Sequence, residues 1–346
     1  MADPTGINVA GVTGWFAEHV PDAVAPFTFD LVAGGRSNLT FSVTDAAGRK
    51  WVLRRPPTSH VLASAHDMGR EHRLIAALGP TDVPVPVAVG LCTDEAVNGA
   101  PFYVMEFVEG TIVRDAPSAE KLFTVDQRRH MGEDIIDTLV AIHAVDLKAV
   151  GLDDLARHEG YIERQLKRWH TQFSASAAQN ERTVPVIDEM HDFLKARIPE
   201  QGPAAIVHGD YRLDNCMIAA DGSVAAVLDW ELCTLGDPLA DMGLLMVYWN
   251  ERNDNGSALP TAGATALEGF PNRAELKHRY ADKTGRDVAE LDFYVSFGYW
   301  KLACILEGVY ARYAHGAMGN DGASFDGFGK QVEFLGEQAK AAATDL

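Results

Sequence analysis

The chain has 346 residues, 47% hydrophobic and 23% charged, the balance of an ordinary globular protein with a core of useful size. Its formal net charge of −19 repels polyanions at long range, which sets nucleic acid aside as a partner and leans weakly toward a cationic substrate. No apolar run reaches the length of a membrane span, the start Met1-Ala2-Asp3-Pro4 lacks the marks of a signal peptide, and Cys92, Cys216, Cys233 and Cys304 are scattered without zinc or disulfide spacing, so a cytoplasmic protein with no membrane partner is expected. In chain order, residues 7–20 form a short amphipathic helix ended by Pro21. Three strands follow at 27–33, 38–44 and 50–55, separated by Gly34-Gly35 and by the hairpin turn Asp45-Ala46-Ala47-Gly48. Residues 67–78 have helical periodicity and stop at Gly79-Pro80. Residues 83–87, 88–92 and 102–108 read as extended, the first weakened by Pro84 and Pro86.

The composition then changes. Residues 126–145 place Ile135, Ile136, Leu139, Ile142 and His143 on one helical stripe, and 161–173 and 186–198 are further helices. Strands at 205–208 and 224–229 flank a polar segment, helices follow at 238–250, 273–282 and 291–313, and a loop after Ala317 leads to a last helix. This pattern predicts a bilobal α+β protein. Residues 1–108 would be a β-rich lobe, and 109–346 a mainly helical lobe.

The strongest chemical signal is His208-Gly209-Asp210-Tyr211-Arg212-Leu213-Asp214-Asn215, of the form H-x-D-x-x-x-x-N, directly after a strand. Phosphoryl transfer needs a carboxylate beside the attacking hydroxyl and hard oxygen ligands for Mg²⁺, and Asp210 and Asn215 suit these two jobs, with His208 as a support. Asp229, at the end of the apolar run Val227-Leu228, can reach an ion bridging ATP phosphates. The first hairpin, with Gly34-Gly35-Arg36-Ser37-Asn38, can cradle phosphates with its backbone N–H groups, although an ordinary hairpin would look the same. Arg54 ends a strand and Glu71 lies on the next helix, the arrangement that places a cation on the α- and β-phosphates.

These motifs, in this order, make the chain resemble the aminoglycoside phosphotransferase and choline kinase-like family, small-molecule relatives of the protein kinases. The resemblance runs from about Phe27 to Asp241 and is most specific at 208–215 and 228–243. It implies an ATP- and Mg²⁺-dependent enzyme that phosphorylates a hydroxyl of a small acceptor. Asp210 would be the base, and Asn215 and Asp229 the metal ligands. Gly35, Ser37, Asn38, Arg54 and Glu71 would serve the phosphates, and the backbone around Glu106 and Phe107 would hold the adenine. More narrowly, Val52-Leu53-Arg54-Arg55-Pro56-Pro57, Leu228-Asp229-Trp230-Glu231 and Leu302-Ala303-Cys304-Ile305-Leu306-Glu307-Gly308 resemble kinase domains found with acyl-CoA dehydrogenases. Some members of that branch phosphorylate hydroxyacyl-CoA, and here a stand-alone kinase is expected. An aminoglycoside or amino-alcohol acceptor is the alternative, and a non-catalytic nucleotide- or acyl-CoA-binding pseudokinase is a third. The family's strand lysine is replaced by Arg54, and D-F-G by Asp229-Trp230-Glu231 with no A-P-E after it. Arginine keeps the charge but grips phosphate with a different geometry.

Several polar residues read as structural. Asp237 and Asp241 cap the following helix and tie the loop, Asp214 braces it, and His143 is a hydrogen-bonded core residue. Trp300, Glu307, Tyr310 and Arg312 fit packing and an acceptor pocket equally, whereas Lys167, Arg168 and His170 fit a solvated helix face better than a grip on CoA.

Overall fold

Alternation of apolar and polar residues builds the first sheet, and the two faces serve different ends. The computed structural model describes residues 3–32, 38–58, 67–254, 263–315, 327–344 and 346. Helix α1 (Val9–His19) precedes strands β1 (Thr28–Leu31), β2 (Leu39–Thr44) and β3 (Lys50–Arg55), then α2 (Met68–Leu78), β4 (Ala88–Cys92), α3 (Glu95–Asn98) and β5 (Phe102–Glu106). The strands form one antiparallel sheet in the order β1-β2-β3-β5-β4. Side chains two apart share a face. Phe41, Val43, Trp51, Leu53, Phe102 and Val104 therefore bury together against Val12, Trp15 and Phe16 of α1. Each such side chain contributes roughly 1.5–3 kcal/mol of burial, so α1 closes the outer face. On the inner face, register sets Thr40 opposite Arg54 and Arg54 opposite Tyr103 in one cross-strand row.

Helix α2 begins at Asp67, whose side chain accepts from Arg70 N. Its buried stripe is Met68, Glu71, Leu74, Ile75 and Leu78. A carboxylate on an apolar stripe needs partners, and the inner face of the sheet supplies them.

The second part contains β6 (Thr111–Ile112), α4 (Ala116–Leu122), α5 (Val125–Ala144), α6 (Tyr161–Gln179), α7 (Pro185–Lys195), β7 (Ala205–Val207), β8 (Cys216–Ile218), β9 (Val224–Val227), β10 (Thr234–Gly236), α8 (Leu239–Tyr248), α9 (Arg273–Thr284), α10 (Leu291–Ala314) and α11 (Phe328–Ala342). β6-β8-β9 make a three-stranded antiparallel sheet, and β10 pairs with β7. The helices pack around them in a core that also takes in α2 and the inner-face residues Tyr103 and Met105. Among the described residues no helix is long and apolar enough to cross a membrane.

Residues 83–87, expected to be extended, make no strand of the sheet. Pro84 and Pro86 have no N–H for a ladder. The carbonyls work instead: Pro84 O accepts from Val227 N at 2.8 Å and Val87 O from Glu106 N at 2.9 Å, stitching the two sheets together.

Candidate active site

The segment 208–215 leaves β7 through a turn that only its glycine tolerates. Gly209 has φ +84°, and a Cβ there would lie 2.9 Å from Leu232 O. The turn is held by Asp241, fully buried on α8, whose carboxylate accepts from His208 N at 2.6 Å and Gly209 N at 2.8 Å. Burial would raise the pKa of this carboxyl, but the contacts with His143, His208 and the Gly209 amide outweigh it and hold it below the usual range. His208 Nε2 donates to Leu228 O at 3.0 Å, and its Nδ1 accepts from Asp210 N at 3.3 Å, which fixes the tautomer. His143 is buried behind Asp241, with Nδ1 2.8 Å from Tyr280 Oη, and burial lowers its pKa. Asp237 accepts from Leu239 N and Tyr294 Oη–H. His143 is thus a hydrogen-bonded core residue and Asp241 ties the loop, as expected, but Asp241 lies inside α8 and does not cap it; of the two aspartates only Asp237 meets the first turn, at Leu239 N.

Asn215 Nδ2 donates to both the backbone oxygen of Asp210, at 2.8 Å, and its Oδ2, at 2.9 Å. That orientation leaves the amide oxygen as the atom turned away from Asp210. Arg212 Nε stands 3.4 Å from Asp210 Oδ2 and 3.2 Å from Asp214 Oδ1, with its guanidinium 4.8 Å over the Tyr248 ring. Burial raises the pKa of Asp214, opposed by Arg212. Asp229 follows β9 in the left-handed region, φ 64°, which swings its carboxylate out of the strand. Leu228 N donates to Asn215 O at 2.8 Å, so the two candidate metal ligands sit on locked neighbours.

Above them is the inner face of the first sheet. Arg54 Nη2 donates to Asp229 Oδ1 at 2.6 Å and lies 3.6 Å from Glu231 Oε2, while its Nε stands 3.5 Å from Glu71 Oε2. Glu71 accepts from Tyr103 Oη–H at 2.9 Å and from Asn38 Nδ2 at 3.2 Å, and Asn38 also reaches Glu231 Oε2 at 3.3 Å. Burial raises the pKa of Glu71, opposed first by Arg54 and then by Tyr103. Helix α2 is fastened below by Arg70, which donates to Leu155 O and Cys233 O, both at 2.9 Å.

The two walls enclose a cavity of about 210 Å³. Asn38, Arg54, Tyr103 and Met105 line it from above, Asn215 and Asp229 from below. The structure therefore gathers Asn38, Arg54, Asn215 and Asp229 at one cleft, with Glu71 behind Arg54 and Asp210 beside Asn215. Glu106 and Phe107 do not line it: Glu106 is exposed at the end of β5, and the Phe107 ring carries Lys50 Nζ at 5.1 Å. Gly35 and Ser37 lie outside the described residues. The packing reading holds for Trp300, which is buried and donates to Ile187 O, and for Glu307, which is buried against Asn180 and Arg182.

Five contributors escape sequence reasoning. Tyr103 reads as an ordinary aromatic strand residue, and only the register sets it beside Arg54. Arg212 and Tyr248 meet through the fold. Glu231 had a signal, since it follows Asp229 by two residues at the same cleft. Lys301 of α10 had none, yet its Nζ donates to Gly209 O at 2.7 Å.

An antiparallel sheet lobe with a strand cation facing a helix glutamate, set over a helical lobe with an H-x-D-x-x-x-x-N loop, is the protein kinase-like fold. Residues 28–278 match the model of the phosphotransferase enzyme family, and the chain belongs to that family. A candidate aminoglycoside phosphotransferase from Ralstonia eutropha is 31% identical, with a TM-score of 0.82 over 97% of this chain and 98% of that one. A macrolide 2′-phosphotransferase from Brachybacterium faecium shares the fold at 20% identity, with a TM-score of 0.59 over 97% of this chain and 98% of that one. Acyl-CoA dehydrogenase family member 10 of Mus musculus is 35% identical over 99% of this chain and 31% of its own length. Family member 11 of Gallus gallus is 34% identical over 88% of this chain and 39% of its own. The chain thus spans about a third to two-fifths of the length of these curated relatives.

Proposed function

We propose that the chain transfers the γ-phosphate of ATP, with Mg²⁺, to a hydroxyl of a small molecule. The observation that carries this reading is the meeting of Arg54, Asn215 and Asp229 at one cleft, with Asp210 hydrogen-bonded to Asn215. Residues 1–108 would grip the nucleotide, and 109–346 would bring the catalytic loop and the acceptor. Asp210 is the base: its carboxylate accepts the acceptor's O–H, orients it, and takes its proton as the oxygen–phosphorus bond forms and ADP leaves. Asp229 and the outward amide oxygen of Asn215 are hard donors of the kind Mg²⁺ selects. An ion that binds through one or two carboxylates plus phosphate oxygens needs no preformed protein cage. Bound there, the ion supplies neutralisation of charge on the transferred group. Arg54 takes the place of the family's lysine and would turn to the α- and β-phosphates.

The relatives named as acyl-CoA dehydrogenases support a hydroxylated acyl-CoA as acceptor. The net charge of −19 favours a cationic amino-alcohol or aminoglycoside instead. Turnover of Mg²⁺-ATP is measured over a panel of hydroxyacyl-CoAs, amino-alcohols and aminoglycosides, with the phosphorylated product read by mass. One acceptor class is expected to give product, and Asp210→Ala to lower transfer by about 10²–10⁴-fold while nucleotide affinity holds. An unaltered rate in that variant removes Asp210 as base. Tight nucleotide binding with no product on any acceptor favours the pseudokinase reading.

A further inference from the structure

The catalytic loop is held by two buried charges of opposite sign, and only one of them, Asp241, belongs to a motif near the loop. The other is Lys301, in the middle of α10 and 5% exposed. Its Nζ donates to Gly209 O at 2.7 Å and stands 5.7 Å from the centre of the Trp169 ring. An ammonium carries three donors, and Gly209 O is its one hydrogen-bond acceptor among the described residues. Such burial is costly, and an apolar side chain of similar length would fill the space at lower cost.

What the charge touches gives it a use. Gly209 N–H donates to Asp241 Oδ1 at 2.8 Å, and Gly209 O accepts from Lys301. The residue is therefore gripped at both polar groups by full charges, and charge-assisted hydrogen bonds are roughly twice as strong as neutral ones. The left-handed Gly209, φ +84°, turns its two groups toward these opposite partners. The gripped carbonyl carbon is bonded to the nitrogen of Asp210. The charged side chains around the ammonium are Asp210 and Asp241, which favour its protonation, and Arg168, whose guanidinium lies 4.8 Å over the Trp169 ring and opposes it. Burial outweighs the two carboxylates and lowers the pKa of Lys301.

We infer that Lys301 is a positioning residue for the phosphoryl transfer proposed above: with Asp241 it clamps Gly209 between opposite charges and so fixes where the Asp210 carboxylate meets the acceptor hydroxyl. It acts through the backbone, without touching substrate. The inference rests on the kinase reading, and the experiment separates the two.

Turnover is compared in the full chain for the wild type, Asp210→Ala, Lys301→Met and Lys301→Gln, with the best acceptor or, failing one, water. Lys301→Met is expected to lower kcat about 10- to 100-fold, the scale of a misplaced catalytic group. KM for Mg²⁺-ATP should stay within about twofold, and the thermal midpoint should hold or rise because a buried charge is gone. Lys301→Gln, which can still donate to Gly209 O, should recover part of kcat, and it carries the test if the Met variant does not fold. A merely structural lysine would lower the midpoint and leave kcat per folded molecule unchanged. A kcat within about twofold of wild type in both variants, or a loss confined to KM, overturns the inference while Asp210→Ala still upholds the kinase reading. A wild type with no turnover at all overturns both.

Discussion

The two walls of the cleft are built on different principles. In the lower wall, charged side chains hold backbone: Asp241 takes two N–H groups, Lys301 takes a carbonyl, and His208 bridges Leu228 and Asp210. In the upper wall, charged side chains hold one another: Arg54 is backed by Glu71 and reaches Asp229 and Glu231 across the gap, with Tyr103 and Asn38 completing the set. Backbone fixed by buried charge has one arrangement. Long side chains that neutralise each other have several, and an incoming polyphosphate can redistribute them. On the proposed function, the lower wall would locate the base and the upper wall would adapt to the nucleotide.

The largest effect should come from the lower wall. Asp241→Ala leaves two buried N–H groups and the buried His143 without their carboxylate, and it should cost about 3–5 kcal/mol of stability, read by urea unfolding. The carboxyl of Asp241 is held below its ordinary pKa in the folded protein. Its contribution is therefore complete above the unfolded value, about 4, and is lost as pH falls through the lower folded value. The stability gap between wild type and Asp241→Asn should narrow in that acid range and stay constant above it. A loss under about 1 kcal/mol for Asp241→Ala would mean that the loop is held otherwise, and the contrast between the walls would fail.

The next effect probes adaptability above. Arg54 Nη2 sits 2.6 Å from Asp229 Oδ1, on the carboxylate that the proposed function gives to a divalent cation. Both cannot hold the same oxygen without strong repulsion. If Asp229 holds a metal ion as proposed, Arg54 would have to leave it, and the phosphates of the proposed nucleotide would give it somewhere to go. Arg54→Met should therefore raise the affinity for Mn²⁺ alone by about tenfold and lower the affinity for Mg²⁺-ATP by about tenfold, each about 1.4 kcal/mol. Calorimetric titration of each reads the two signs. Unchanged Mn²⁺ affinity would show that Arg54 does not guard the carboxylate.

How legible these walls are in sequence differs for the same reason. The first sheet announces itself by alternation, and β3 falls at 50–55 and β4 at 88–92 as the pattern requires. The loop at 208–215 is a contiguous motif, so its residues are found together. Strands β6, β8 and β10 have two or three residues each, too few for any period to register. Helix α6 runs to Gln179, beyond the expected end at 173. Partnerships that depend on register or on helix packing are silent. Nothing in the order of residues sets Tyr103 opposite Arg54, and α10, buried along most of its length, offers no polar stripe against which Lys301 would stand out.

The smallest expected effect sharpens the account of the upper wall. Tyr103→Phe deletes one O–H donor to Glu71 Oε2 and keeps the ring. Glu71 retains Arg54 and Asn38, so the carboxylate is not orphaned. The loss should be about 1 kcal/mol, that of a typical intramolecular hydrogen bond, because the carboxylate keeps its other partners. Mg²⁺-ATP affinity should move by less than about threefold, since Arg54 keeps its carboxylate neighbours Glu71, Asp229 and Glu231. Measured again in a Glu71→Gln background, the same substitution should lose most of its effect, because the charge that strengthened the bond is gone. If the loss exceeded about 3 kcal/mol, Tyr103 would be the main support of Glu71. The upper wall would then be as rigidly fixed as the lower, and its adaptation to the nucleotide would have to lie in the Arg54–Asp229 contact alone.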